Sequence, residues 1–203
     1  MRRVAGLLFA AVLLVACGHD GGDDVSEPAE ATDTTTTVTA DDIPVAYTPE
    51  GGWTGAMPPP VLAECTEPLV DGAPDLAGLW EVVEVEVEGE VVDAHPALGA
   101  VQRIEQCGNR LVVTASGVIH DMRVDGTDEN GVHDVAEFDY TTPINVVATY
   151  EDGVHILRPV GLPIEITRQR DGDQLVWGYI RFTAHLDRIG EPTDPYPPTE
   201  ETP

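Results

Sequence analysis

Between Trp80 and Glu88 the chain reads Trp-Glu-Val-Val-Glu-Val-Glu-Val-Glu, and from Val83 onward apolar and acidic positions alternate strictly. A period of two puts every second side chain on one face, so this segment predicts a β-strand with one buried side. Val82 and Val83 stand side by side and break the phase, which predicts a bulge or a change of face there. The same grammar recurs down the chain. Val101 to Gln106 and Arg110 to Thr114 flank Cys107-Gly108-Asn109, and Val118 to Val124 and Val132 to Phe138 flank the polar stretch Asp125 to Gly131. Ile144 to Tyr150 and Val154 to Leu157 flank Glu151-Asp152-Gly153, and Ile164 to Arg170 and Gln174 to Leu186 flank Asp171-Gly172-Asp173. Turn residues between short β-rich runs mark hairpins. Their recurrence predicts an all-β, antiparallel meander of about eight strands within residues 61–190. Asp93 to Ala100, with Pro96 near a first turn, is the one stretch with the make-up of a short helix.

The flanks have a different composition. Gly18 to Pro60 is acidic and rich in Thr, Pro and Gly, with Thr34 to Thr37 at its centre and Pro58-Pro59-Pro60 at its end. Such a segment buries too little apolar surface to order itself and predicts a disordered tether, about 35 Å long on average. Glu191 to Pro203 is again acidic and Pro-rich and predicts a disordered tail. Ahead of the tether, Arg2 and Arg3 precede the apolar run Val4 to Ala16, the charged and apolar regions of an export signal. At roughly 20 Å of helix the run is too short to span a bilayer core of about 30 Å. It closes on Leu14-Val15-Ala16-Cys17, and this segment resembles the lipobox of bacterial lipoprotein signal peptides. The resemblance implies a signal peptide over residues 1–16, cleavage before Cys17, and acylation of Cys17 as the first residue of the mature chain. Two or more acyl chains would hold the protein stably on the extracytoplasmic face of a cell membrane.

Three cysteines are an awkward number for an exported protein. With Cys17 lipidated, Cys65 and Cys107 remain as an even pair in an oxidising compartment, which predicts a disulfide between them. Such a bridge closes a loop of about 43 residues and contributes roughly 4 kcal/mol in the chain-entropy model. Charge is extreme: ten basic residues oppose 37 acidic ones, and there is no lysine. That balance excludes nucleic acid and anionic headgroups as partners, since both require positive patches.

The inventory for catalysis is thin. Without lysine there is no Schiff base, the paired cysteines cannot attack, and Ser116 lies in the turn Ala115-Ser116-Gly117. The histidines at 95, 120, 133, 155 and 185 lack the spacing of a helical zinc pair, although a hairpin could bring His120 and His133 together. Asp128, Asn130, Gly131 and Glu137 partly match a calcium loop, but its first position would be Gly126. A polar hairpin turn accounts for them better. The expectation is a protein with no catalytic residues, no resident metal and no cofactor.

Two architectures fit the meander. The order Cys65, Trp80, Cys107 invites an immunoglobulin-like β-sandwich, which is kept as the alternative. Against it, Cys65 lies in a Pro-rich stretch, and Glu105 stands where a tyrosine corner would place Tyr. Gly78-Leu79-Trp80 at the head of the first strand, followed by a run of hairpins, resembles the lipocalin-like barrels. In that family the first strand carries G-x-W and an Arg after the last strand packs across the Trp; Arg188 matches that place, with Arg181 as competitor. The resemblance implies an up-and-down barrel that binds a small apolar ligand.

Within Gln174 to Leu186, read as one strand, Val176, Ile180, Phe182, Ala184 and Leu186 form a core stripe. Trp177, Tyr179, Arg181 and His185 then point outward, a composition suited to binding another protein, unless the tether folds back over it through Tyr47 or Trp53. Two functions follow, both non-enzymatic. One is a monomeric lipoprotein holding a small apolar ligand in its barrel, with Trp80 and Arg188 as candidate ligand residues. The other is an interaction or inhibitor module of the cell envelope that uses Trp177, Tyr179 and Arg181.

Overall fold

The computed structural model describes residues 37–197. The signal segment, Cys17, the first part of the tether and the end of the tail lie outside the described residues. Eleven strands form one antiparallel sheet: β1 (Gly78–Val87), β2 (Glu90–Val91), β3 (Val101–Cys107), β4 (Arg110–Ala115), β5 (Val118–Arg123), β6 (Val132–Val135), β7 (Pro143–Glu151), β8 (Val154–Pro159), β9 (Ile166–Asp171), β10 (Gln174–Tyr179) and β11 (Phe182–Gly190). The order is β5-β4-β3-β1-β11-β10-β9-β8-β7-β6, with the two-residue β2 folded against the end of β1. Because β11 pairs with β1, first and last strands meet and the meander curls into a barrel of ten strands. The edges β5 and β6 come together without a regular ladder. They are tied where Arg123 N donates to Asn130 O at 2.7 Å and His120 Nε2 lies 3.1 Å from Val135 O.

This is a near-closed, up-and-down barrel, and a single curled sheet replaces the β-sandwich alternative. The hairpins follow the local turn chemistry. Ser116-Gly117 and Asp152-Gly153 have positive φ at both residues, the geometry that matches the twist of the flanking strands. Val83 is the bulge: the β1–β11 register shifts between Val82 and Glu84, which returns Val85 to the interior after Trp80 and Val82. The expected helix at Asp93 to Ala100 is two consecutive tight turns, with Leu98 N bonded to His95 O and Ala100 N to Ala97 O. Gly99 at φ 76° stops any helical continuation, and its N–H and the Ala100 carbonyl are taken by Val82. Ala97 and Leu98 thereby pack on the core.

The interior is filled by Trp80, Val82, Val85, Ile104, Leu111, Val113, Leu175, Ala184 and Leu186, among others. Outside β3, β4 and β5 lies a second apolar layer of Ala40, Leu62, Cys107, Val112 and Ile119. It exists because residues 37–66 run across the outer face of these strands, which corrects the expectation of a disordered tether as far as Pro60. A segment without secondary structure must find other partners for its backbone polar groups. Here side chains supply them. Glu67, Asp121 and Asp134 accept the N–H groups of Ala40, Ala46 and Thr48 at 2.8–2.9 Å, and buried Glu105 accepts that of Leu62 at 2.6 Å. Arg110 donates to the carbonyls of Ala40, Ile43 and Pro44 and, through Nε and Nη2, to Asp121 at 2.8 and 2.6 Å. The tail is also held in part: Arg103 Nη2 donates to Asp194 O at 2.8 Å, and Met57 N to Tyr196 O. Cys65 and Cys107 are bonded, with Cα atoms 6.1 Å apart, and fasten the strap to the end of β3.

Arg110→Met leaves Asp121 buried, charged and short of its donors, so unfolding free energy should fall by about 3–5 kcal/mol. Arg158→Met, which removes an exposed pair with Glu151 and Glu165, should cost under about 1 kcal/mol. Urea midpoints of the two variants beside the parent check both.

Candidate ligand site inside the barrel

The last two strands decide what the barrel interior contains. Gln174 to Leu186 is not one strand: Ile180 and Arg181 form a two-residue turn between β10 and β11, with Ile180 at φ 35°. A turn of this kind ordinarily uses Gly at its first position, and none is there to mark it in the sequence. The turn restarts the count of alternating faces. Phe182, Ala184 and Leu186 face the core as expected, but on β10 the inward residues are Leu175, Trp177 and Tyr179. Trp177 is paired with buried Ala184, and its ring meets Phe182 edge-on at 5.2 Å between centroids. The outward Trp-Tyr-Arg row is therefore absent, and the interaction surface expected from it is corrected: Trp177 and Tyr179 are interior. Arg181 is exposed at the turn, and His185 faces outward beside Glu86 at 3.5 Å.

At this end the barrel holds a cavity of about 220 Å³. Val113, Ala115, Val118, Val132, Ala136, Ile144, Val146, Leu157 and Ile166 form its apolar wall, with Trp177 and Tyr179 from β10. Even-numbered hairpins in an up-and-down meander share one end, so the β6–β7, β8–β9 and β10–β11 connections surround its mouth. They contribute Phe138, Leu162 and Ile180, which are 75%, 59% and 54% exposed. The opposite end is shut by Leu76 and Trp80.

The polar groups in the wall are few. Arg168 on β9 is buried, its Nε donating to Gln102 Oε1 at 3.1 Å and its guanidinium 5.7 Å from the Trp177 ring centroid. Burial lowers its pKa to about 10, so it stays charged at neutral pH. The Tyr179 hydroxyl donates to Glu137, and burial together with that contact raises the phenol's pKa. His155, beside Arg168 in the β8–β9 register, is fully buried; burial and then the Arg168 charge lower its pKa to about 3. Burial likewise lowers the pKa of His120. Arg168 did not stand out in the sequence as a site residue, and His155 did so only as one of the histidines weighed for a metal. The available signal was parity: Ile164, Ile166 and Arg168 alternate onto one face, as His155 does with Leu157.

The remaining candidates are dispersed. Trp80 is buried in the closed end, where its Nε1 donates to Leu76 O at 2.9 Å. Arg188 lies opposite Trp80 in the β1–β11 register, and a Cβ added at Gly78 would meet both Arg188 Nε and Trp80 Nε1 at about 3 Å. Glycine is required there for this close approach. The guanidinium over the indole face, however, is that of Arg170, 4.8 Å from the centroid; Arg188 sits at the edge, and its Nη2 donates to Glu191. His120 faces inward and His133 is exposed, its Nε2 2.6 Å from Asp128 O, so the two do not converge. In the loop Asp125 to Gly131, Asp125 accepts from Thr127 and Asn130, while Glu137 is engaged by Tyr179. The partial calcium-loop pattern is a self-bonded turn.

Fold and cavity together define the class: a small antiparallel barrel with an apolar interior chamber open at one end. No family model and no curated protein matches the chain. Among solved structures it is similar to human cRBP IV, at 15% identity and a TM-score of 0.46, over 57% of this chain and 98% of that one.

His155 makes the stability of the interior depend on pH. Its pKa lies below the unfolded value of about 6.5, so unfolding takes up a proton and stability falls as pH drops from 6.5 toward 3, by up to about 1.4 kcal/mol per pH unit. His155→Leu should flatten that part of the profile relative to the parent, as read from urea midpoints at pH 7, 6, 5 and 4.

Proposed function

We propose that this chain is a non-enzymatic, monomeric lipoprotein, anchored through Cys17 on the extracytoplasmic face of a cell membrane, whose barrel takes up a small apolar ligand. The observation that carries the reading is the chamber of about 220 Å³, apolar in its walls and rimmed by exposed Phe138, Leu162 and Ile180. Apolar pockets with a few placed polar groups are the usual form of a small-molecule site. The volume lies below the roughly 300–1,000 Å³ of pockets for drug-sized molecules, so the ligand is small. The strap's hydrogen bonds lie on the outer faces of β3–β6 and on Gly117 and Val118, and Phe138, Leu162 and Ile180 at the mouth stay exposed. The lipid anchor rests on the sequence of residues 1–17, with the disulfide in keeping with an oxidising compartment.

The neutral apolar probe N-phenyl-1-naphthylamine should bind the protein with a rise in fluorescence. Ala115→Phe, which projects a ring into the chamber, should weaken it at least tenfold with the circular dichroism unchanged; equal binding by the two proteins would place the probe elsewhere. For the anchor, Cys17→Ser should move the protein from the membrane to the soluble fraction and abolish labelling by radioactive palmitate.

A further inference from the structure

The outer face where the first and last strands meet gathers side chains of another kind. Glu84 and Glu86 flank inward Val85 on β1, and His185 on β11 stands directly opposite Glu84 in the register. Two carboxylate oxygens and an imidazole nitrogen, one from each residue, fall within 4.8 Å of one another. The bulge at Val83 creates this grouping. Without it, the alternation that buries Trp80 and Val82 would turn Glu84 into the core; the register shift between Val82 and Glu84 sends both glutamates outward, onto the face of His185. Re-aiming a side chain beside a functional site is a recurrent use of a bulge.

The grouping is short of positive charge. Among the described residues no arginine forms an ion pair with Glu84 or Glu86. His185 Nε2 lies 3.5 Å from Glu86 Oε1, longer than a good hydrogen bond. Like charges held this close repel each other. Beside Glu86 the surface sinks into a groove of about 450 Å³, floored by Gly178 and edged by Glu88, Thr167 and Thr183, so the solvent side of the grouping stays open.

We infer that Glu84, Glu86 and His185 form a zinc site that clips the barrel shut on its outer face. One imidazole with two carboxylates is a borderline ligand set, which suits Zn²⁺ better than Ca²⁺ or Mg²⁺ with their all-oxygen shells. Zinc bonds of about 2.0–2.2 Å set tetrahedral ligand atoms roughly 3.3 Å apart, so side-chain rotation in two partly exposed glutamates closes the remaining gap. The groove leaves the fourth position to water. A dication supplies the charge that the two glutamates lack, and the acidic exterior draws cations toward it. The glutamates and His185 lie about 100 residues apart in the chain, and they meet only when β11 closes on β1. The site is independent of what the chamber holds.

Calorimetric titration of the chain from position 17 carrying Cys17→Ser, stripped of metal beforehand, tests this with ZnCl₂, CaCl₂ and MgCl₂. Zinc should bind at one ion per chain, about tenfold or more tighter than calcium or magnesium, and should raise the urea midpoint of unfolding. His185→Gln should weaken zinc about tenfold or more and remove both its preference over calcium and the rise in midpoint. Glu86→Gln, which keeps the imidazole, should weaken zinc by about the same factor, and Glu84→Gln replaces either variant if its circular dichroism departs from that of the parent. His133→Gln, outside the grouping, should leave zinc binding unchanged. Absence of zinc binding, equal affinity for zinc and calcium, or zinc binding that survives unchanged in either His185→Gln or Glu86→Gln overturns the site.

Discussion

The buried Arg110–Asp121 pair is the contact on which the arrangement of the outer layer turns. Two charges taken out of water cost several kcal/mol each, and their mutual attraction returns that only when the remaining donors and acceptors are also filled. They are filled here by the strap: Ala40, Ile43 and Pro44 give Arg110 their carbonyls, and Ala46 gives Asp121 its N–H. The dependence runs both ways. An irregular segment with no ladder of its own could not lie on a sheet unless side chains on that sheet completed its hydrogen bonds. Part of the acidic composition is accounted for in this way, since Glu67, Glu105, Asp121 and Asp134 are acceptors for strap amides rather than solvated surface charges.

Covering one side divides the barrel into unlike halves. β3 and β4 are buried almost throughout, between the interior and the strap, and the disulfide fastens that sandwich at the end of β3. On β9 and β10 the outward positions meet no second layer among the described residues, and the strands alternate between interior and solvent. The seam between β5 and β6 marks where the covered half gives way, and the chamber lies against it, with Val118 and His120 on one side and Val132 and Ala136 on the other. Local opening is easiest where backbone pairing is incomplete and burial one-sided. The fold therefore places its least tied edge beside its cavity and its most tied edge beside the strap.

How far the sequence announced this depended on whether the determining contacts were local. Alternation in Trp80 to Glu88, the bulge at Val82-Val83 and the hairpins at Ser116-Gly117 and Asp152-Gly153 are properties of neighbouring residues, and the barrel follows from them. The turn at Ile180-Arg181 carries no Gly, Pro or Asn, so the strand count and the faces of Trp177 and Tyr179 came out inverted. Asp93 to Ala100 has helical composition, but the sheet claims its backbone through Val82. The strap reads as a Thr- and Pro-rich linker because the groups that order it, Arg110 and Asp121, lie about 70 residues further along the chain. The site was half legible: its aromatic residues stood out by type, while Arg168, which distinguishes the chamber from a packed core, was visible only as a cation on an apolar face.

That cation gains meaning from the charge around it. With 37 acidic residues against ten basic ones, the long-range field of this protein repels anions. Yet an arginine is held in the interior where desolvation opposes its charge, while Glu137, instead of closing on it, is bound to Tyr179. A sequence under no demand at this position could place an apolar residue there, as it does at Leu157 and Ile166 on the same wall; replacing buried charges by apolar side chains of similar volume is often neutral or stabilising. The retained guanidinium thus sets a polarity opposite to that of the exterior.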